Sequence, residues 1–191
     1  MSAPIRLAVL LSGAGRSLQN LLDRIADGRL DAQVVAVIAD REGTGGIERA
    51  VAAGLPTLVT RDADAIYAML RERRSELVCL AGYLRLLPIE ADFRGRVLNI
   101  HPALLPKFGG PGFYGDRVHA AVLAAAETES GCTVHFADDR YDEGAIIVQR
   151  RVPVLPGDTA ASLAARVFDA ECEAYPEAIT RVAAQLPRAA R

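Results

Sequence analysis

The stretch that most limits what this chain can fold into is Ile5–Leu11, an apolar run that stops at Ser12-Gly13-Ala14-Gly15. A strand that is apolar along its length is buried on both faces, the habit of parallel sheets covered by helices. The next segment, Leu18–Ala26, has apolar residues at 18, 21, 22 and 25, the spacing of an amphipathic helix. The alternation then repeats. Gln33–Ala39 reads as a second buried strand, and Gly46–Ala53 as a helix stopped by Gly54-Leu55-Pro56. Thr57–Thr60 is a short strand, Ala63–Arg74 a helix, Leu77–Ala81 a fourth strand and Val97–Ile100 a fifth.

After His101 the texture changes. Three prolines and four glycines fall within Pro102–Gly115, which predicts a long loop of the kind that compact domains keep for function. Arg117–Ala126 reads as a helix. Gly131–Ala137 and Ala145–Val154 read as a hairpin around a tight acidic turn. Asp158 is expected to cap a long helix from Thr159 to about Leu186, kinked by Pro176. Pro187–Arg191 is expected to be a loose tail. The predicted class is α/β: a Rossmann-like open sheet, mostly parallel, with a C-terminal antiparallel hairpin and helices on both faces.

With 191 residues, a single domain is expected. A chain of this size buries ~70% of the surface its unfolded form exposes. A hydrophobic fraction of 51% supplies that core without disulfides. Net charge is −2, which provides no global field to draw in nucleic acid or anionic membrane. The N-terminal apolar run is too short to span a bilayer and has no signal-peptide pattern. Cys79, Cys132 and Cys172 stand at unrelated spacings and fit buried, reduced thiols in a cytoplasmic protein.

Three groups of residues have the composition for chemistry. In Ser12-Gly13-Ala14-Gly15-Arg16-Ser17, glycines allow a sharp turn, and the free N–H groups of the following helix face outward toward an anion. Leu18 occupies the third glycine position of a dinucleotide fingerprint, so a single phosphate fits better. A tight turn that binds nothing has the same signature, and Arg16 either adds a cationic contact or sits in solvent. In Val97-Leu98-Asn99-Ile100-His101-Pro102, Asn99 and His101 share one face at a strand's carboxyl end, where open α/β sheets place ligands. An amide donor beside an imidazole suits a reaction through a tetrahedral oxyanion. The third group is Asp138-Asp139-Arg140-Tyr141-Asp142-Glu143-Gly144. A solvated turn is the simpler reading, although an Asp brought beside His101 would raise the imidazole pKa. His119 and His135 read as structural, and the three histidines lack the spacing of a zinc site.

These motifs together resemble the folate-dependent formyltransferases, and within them the phosphoribosylglycinamide formyltransferase branch. The resemblance runs from Ile5 to about Ile179. It is most specific at Leu98-Asn99-Ile100-His101-Pro102-Ala103-Leu104-Leu105-Pro106-Lys107-Phe108. Leu80–Leu87, Ser130–Phe136 and Gly157-Asp158-Thr159 add support. It implies the formyltransferase fold in one domain, residues 1–191. Residues 5–101 would form the phosphate side, and residues 102–186 the folate loop, hairpin and long helix. It implies transfer of the formyl group of 10-formyltetrahydrofolate to glycinamide ribonucleotide, with no metal.

Position by position, it implies that Asn99 stabilises the oxyanion, His101 moves the amine proton and Asp142 pairs with His101. Gly13, Gly15, Arg16 and Ser17 would hold the ribonucleotide phosphate, and Glu171 the ribose hydroxyls. Arg85, Leu86 and Leu87 would grip the pterin, with Ala137, Asp138, Asp139, Arg140 and Tyr141 as the opposite wall. The implied partners are small molecules, with neither nucleic acid nor membrane, for a cytoplasmic monomer or homodimer.

Three features depart from the family pattern. Gly15-Arg16-Ser17 stands where Gly-Ser-Asn is usual. Ala145 follows Gly144 where proline is usual. Val59–Ser75 is short, which implies a missing contact on the phosphate side. Other acceptors within the family (water, a sugar nucleotide or an aminoacyl-tRNA) and a non-catalytic nucleotide-binding domain are the alternatives. Length and the acidic pI of about 5.9 are expected to weigh against the tRNA.

Overall fold

A computed structural model of the chain describes residues 3–186. The expected tail at Pro187–Arg191 lies outside the described residues. The order of elements is β1 (Ile5–Leu11), α1 (Arg16–Ala26), β2 (Ala32–Ala39), α2 (Gly45–Ala52), β3 (Thr57–Val59), α3 (Ala63–Glu72), β4 (Leu77–Leu80), β5 (Val97–His101), α4 (Asp116–Ala124), β6 (Glu129–Phe136), β7 (Ile146–Pro153) and α5 (Ala160–Ala183). Every expected element is present, β1 with the same bounds and the others with ends moved by no more than three residues. Pro102–Gly115 is the expected loop, with no strand or helix of its own.

The strands form one sheet in the order β3-β2-β1-β4-β5-β6-β7. Strands β1 to β5 pair in parallel, and β6 and β7 add antiparallel. The chain first builds outward from β1 through β2 to β3. It then crosses to β4 on the other side of β1. That reversal opens a crevice at the carboxyl ends of β1 and β4, the place where such sheets bind ligands.

Both faces of the sheet are buried, as the apolar runs require. Leu7, Val9 and Leu11 point to one side with Cys79 and Leu98, where α1, α2, α4 and α5 cover them. Ala8 and Leu10 point to the other with Val78 and Leu80, against Ile66, Tyr67 and Leu70 of α3. A one-residue slip in β1 would exchange these two sets. Each fully buried leucine contributes about 1.5–3 kcal/mol relative to exposure, which fixes the register.

One expectation for α5 is corrected: the residue that caps it. Its cap is Thr159, whose side chain accepts the Ser162 N–H while Ser162 Oγ accepts the Thr159 N–H. Asp158 instead accepts the Leu155 N–H and pairs with Arg166 at 2.6 Å. The helix also runs through Pro176 to Ala183. A proline removes the N–H that the carbonyl four residues back expects. That carbonyl, on Cys172, accepts the side-chain amide of Asn20 in α1 at 3.1 Å.

The cysteines are free thiols. Cys79 and Cys132 are buried as expected, whereas Cys172 is half-buried. No helix among the described residues is long and apolar enough to cross a membrane.

Candidate active site

A cleft of about 550 Å³ lies at the carboxyl ends of β1, β4 and β5. Its walls include Gly13, Gly15, Arg16 and Ser17 at one end, Arg85, Leu86 and Leu87 at the other, and Asn99 and His101 between. Segments distant in sequence therefore meet as the sheet topology demands.

At the first end the chain leaves β1 and turns at Gly15, whose φ is 73°. A Cβ there would stand 2.5 Å from Gly46 Cα, so only glycine fits. The turn is fastened to α2, where the Gly46 N–H donates to the Gly13 carbonyl at 3.1 Å. No side chain caps α1, and its first turn holds no acidic residue. Opposite stands α5 with Ala164, Phe168 and Glu171 on the cleft. Burial pushes the Glu171 carboxyl up to about 7, against the opposing pull of Arg16.

At the centre, Asn99 and His101 project from β5. The tight turn after β6 brings Asp142 between them, so the third group is more than a solvated loop. Asp142 has φ 58°, a left-handed conformation that Asp tolerates. Gly144 makes the turn possible, since a Cβ there would fall 1.8 Å from the Phe136 carbonyl oxygen. Asp142 Oδ1 accepts an Asn99 amide N–H at 3.1 Å, and Oδ2 accepts the Gly110 N–H at 2.9 Å. His101 Nδ1 lies 3.5 Å from Oδ2, with side-chain exposures of 5% and 9%.

The tautomers follow from the neighbours. His101 Nε2 is 2.7 Å from the Phe108 carbonyl and donates to it. His135 Nδ1 likewise donates to the Phe136 carbonyl at 2.8 Å, so its Nε2 accepts the second Asn99 N–H at 3.1 Å. Both donors of Asn99 are thus engaged.

Burial sets the charge states. It lowers the His101 pKa, and the favourable influence of Asp142 and the Phe108 carbonyl does not reverse this. Asp142 acts upward as expected, but desolvation of the imidazolium outweighs it and the net shift is downward. For Asp142, burial acts upward, but the His135 and His101 imidazoles and the Gly110 N–H hold it below its ordinary value. At neutral pH the pair is a neutral imidazole beside a carboxylate.

At the far end, the Leu86 N–H donates to the Tyr141 hydroxyl at 3.0 Å, and Arg85 pairs with Asp40 at 3.3 Å. Ala137, Asp138, Arg140 and Tyr141 line the cleft. Asp139 is not on its wall; its carboxylate accepts the Ile89 N–H at 3.3 Å and ties the two walls together. The stretch Val59–Ser75 falls at this end too. Arg61, Ala63 and Ile66 border a second pocket with Arg85, Leu86 and Leu87, apart from the Gly13–Ser17 turn.

His119 and His135, read as structural, both border the cleft, and His135 holds Asn99. Nδ1 of His119 is buried without a hydrogen-bond partner. Phe168 and the aromatic pair Phe113 and Tyr114 were not singled out by sequence reasoning. Phe168 alone left a signal, standing three residues before Glu171 on one helix face.

Comparison with known proteins agrees with this geometry. The model of the formyl transferase family matches residues 5–179. The trifunctional purine biosynthetic protein adenosine-3 of Drosophila pseudoobscura pseudoobscura is 45% identical over 191 residues, covering 93% of this chain and 14% of that protein. The chloroplastic phosphoribosylglycinamide formyltransferase of Vigna unguiculata is 39% identical over 185 residues, covering 91% and 59%. The chain thus spans about a seventh of the first relative and under two thirds of the second. The crystal structure of glycinamide ribonucleotide transformylase 1 from Symbiobacterium toebii superposes with a TM-score of 0.88 at 39% identity, covering 100% of this chain and 93% of that one. By sequence, sheet order and the convergence of its motifs on one cleft, the chain belongs to the formyl transferase family.

Proposed function

We propose that the chain transfers the formyl group of 10-formyltetrahydrofolate to the amine of glycinamide ribonucleotide, giving formylglycinamide ribonucleotide and tetrahydrofolate, a step of purine biosynthesis. The observation that carries this reading is the meeting of Asn99, His101 and Asp142 between an anion-ready turn and an apolar wall. The names of the relatives support the same acceptor.

In this reading the phosphate lies against the N–H groups at Gly13–Ser17, with Arg16 beside it, and Glu171 takes the ribose hydroxyls. The pterin lies against Arg85, Leu86 and Leu87, facing the Ala137–Tyr141 loop. The neutral amine attacks the formyl carbon, and the carbonyl oxygen becomes an oxyanion. Asn99 stabilises it by exchanging the Asp142 or His135 acceptor for the oxyanion. His101, neutral at the outset, takes the amine proton, and Asp142 stabilises the imidazolium formed. The intermediate collapses as the N10–carbon bond breaks and N10 is protonated. Amine attack on an already activated formyl group calls for no metal. The partners are these small molecules, and cytoplasmic residence accords with three free thiols.

Incubation with formyl folate and glycinamide ribonucleotide, followed by mass spectrometry, tests the reading. Formylglycinamide ribonucleotide is the expected product. Free formate alone would make the chain a hydrolase, and no product would leave a binding domain.

A further inference from the structure

Arg16 is placed against the usual electrostatics of a helix. It is the first residue of α1, where the aligned peptide dipoles already present a partial positive charge. A cation there is repelled by its own helix. No carboxylate among the described residues reaches Arg16 within salt-bridge distance, and α1 has no acidic first-turn residue to offset the charge. The carboxyl that does influence it, Glu171, is half protonated near neutral pH. What holds the side chain is an aromatic ring: the guanidinium carbon lies 4.2 Å from the Phe168 centroid. Both groups border the acceptor end of the cleft, Arg16 from α1 and Phe168 from α5.

We propose that Phe168 is a positioning residue: it holds the Arg16 guanidinium over its ring at the acceptor end, so that Arg16 selects an acceptor carrying a phosphate monoester over its dephosphorylated counterpart. A guanidinium held over an aromatic ring needs no hydrogen bond to stay in place, which leaves N–H groups to match the spacing of two phosphate oxygens. An unstacked arginine at this exposed position would spread over many rotamers, and ordering it would be charged to ligand binding. The bound dianion would also relieve the repulsion between Arg16 and the start of α1.

The inference rests on the reading of the acceptor as a phosphorylated ribonucleotide. The test is therefore a calorimetric titration of the intact protein, without formyl donor, with glycinamide ribonucleotide and with the corresponding dephosphorylated nucleoside. Turnover is measured separately. Absence of turnover in the parent protein overturns the proposed reaction, whereas the titrations judge Phe168.

Arg16→Ala is expected to weaken ribonucleotide binding roughly 10- to 100-fold, the range for a charge-assisted hydrogen bond, and to leave nucleoside binding unaltered. Phe168→Leu is expected to weaken ribonucleotide binding about 2- to 5-fold, as for an exposed cation–π contact, and Phe168→Tyr to restore it. In the Arg16→Ala background Phe168→Leu is expected to have no further effect. In steady state the Phe168→Leu loss should appear in KM for the ribonucleotide, with kcat and the KM for formyl folate held. The proposal is overturned if Phe168→Leu costs as much without Arg16 as with it. It is equally overturned if Arg16→Ala weakens both acceptors alike.

Discussion

Asn99, His101 and Asp142 form a net in which both Asn99 N–H groups, both Asp142 oxygens and both His101 nitrogens already have a neighbour, and that has kinetic consequences. His101→Ala and Asp142→Asn are each expected to lower kcat by at least ~100-fold, because one removes the proton acceptor and the other the charge that stabilises its protonated form. Turnover near that of the parent protein in either variant would remove the assigned role. Since burial lowers the His101 pKa, kcat should stay level through neutral pH and fall only below the ordinary histidine range.

Glu171 has the opposite sign. Its carboxyl is raised from 4.5 to about 7, so the folded state keeps a proton that the unfolded state has released. Stability from this group is complete below about 4.5 and is lost as pH rises through 7. Glu171→Gln should therefore gain on the parent protein by up to ~3 kcal/mol between pH 5 and pH 8, read as a widening difference in Tm. Equal Tm differences at both pH values would contradict the burial argument. The same variant should bind the ribonucleotide less well, because a carboxylate accepts the hydroxyls more strongly than an amide does.

Among the elements, α1 and α5 show how a local rule can fail and still be satisfied at long range. Pro176 inside α5 deprives the Cys172 carbonyl of its partner, and Asn20 of α1 supplies one. Asn20→Leu should destabilise the fold by about 1–3 kcal/mol by leaving a partly buried carbonyl unpaired, seen as a lower denaturant midpoint at unchanged m-value. An unchanged midpoint would show that water replaces the amide at no cost.

This pair also marks what the sequence can and cannot say. The β-α rhythm was readable because apolar periodicity is local, and it placed all seven strands. The glycine turn after β1 and the Asn99/His101 pair are legible because each lies within a few residues. Asp142 was not: no spacing brings residue 142 to residue 101, and only family resemblance suggested it. His119, His135 and Phe168 look like core residues in sequence, since burial at a cleft wall and burial in a core leave the same pattern. The net direction of the His101 shift is hidden from the sequence for a related reason. Sequence names the neighbouring charge but not the depth of burial that outweighs it.

Over the whole molecule, one sheet is covered on both sides, and that governs access to the thiols. Burial pushes Cys79 and Cys132 up to about 12, and Cys172 is raised as well but half-buried. A thiol reagent at pH 8 should therefore modify Cys172 first, while Cys79 and Cys132 react only at the rate of global opening. Rapid labelling of all three in the native protein would contradict a continuous core across the sheet.

The Asn20 amide has a further consequence. It joins the helix that begins at the glycine turn to the helix that carries Phe168 and Glu171. The opening between those groups is therefore set by helix against helix, like the jaws of a calliper locked at one width. The opposite end of the cleft is bounded by the 84–87 and 137–142 loops, tied by single contacts such as Tyr141 to Leu86. A rigid ligand has to match the jaw between α1 and α5 in length, and variation in what the chain binds there should track substitutions in the α1–α5 seam rather than in the loops.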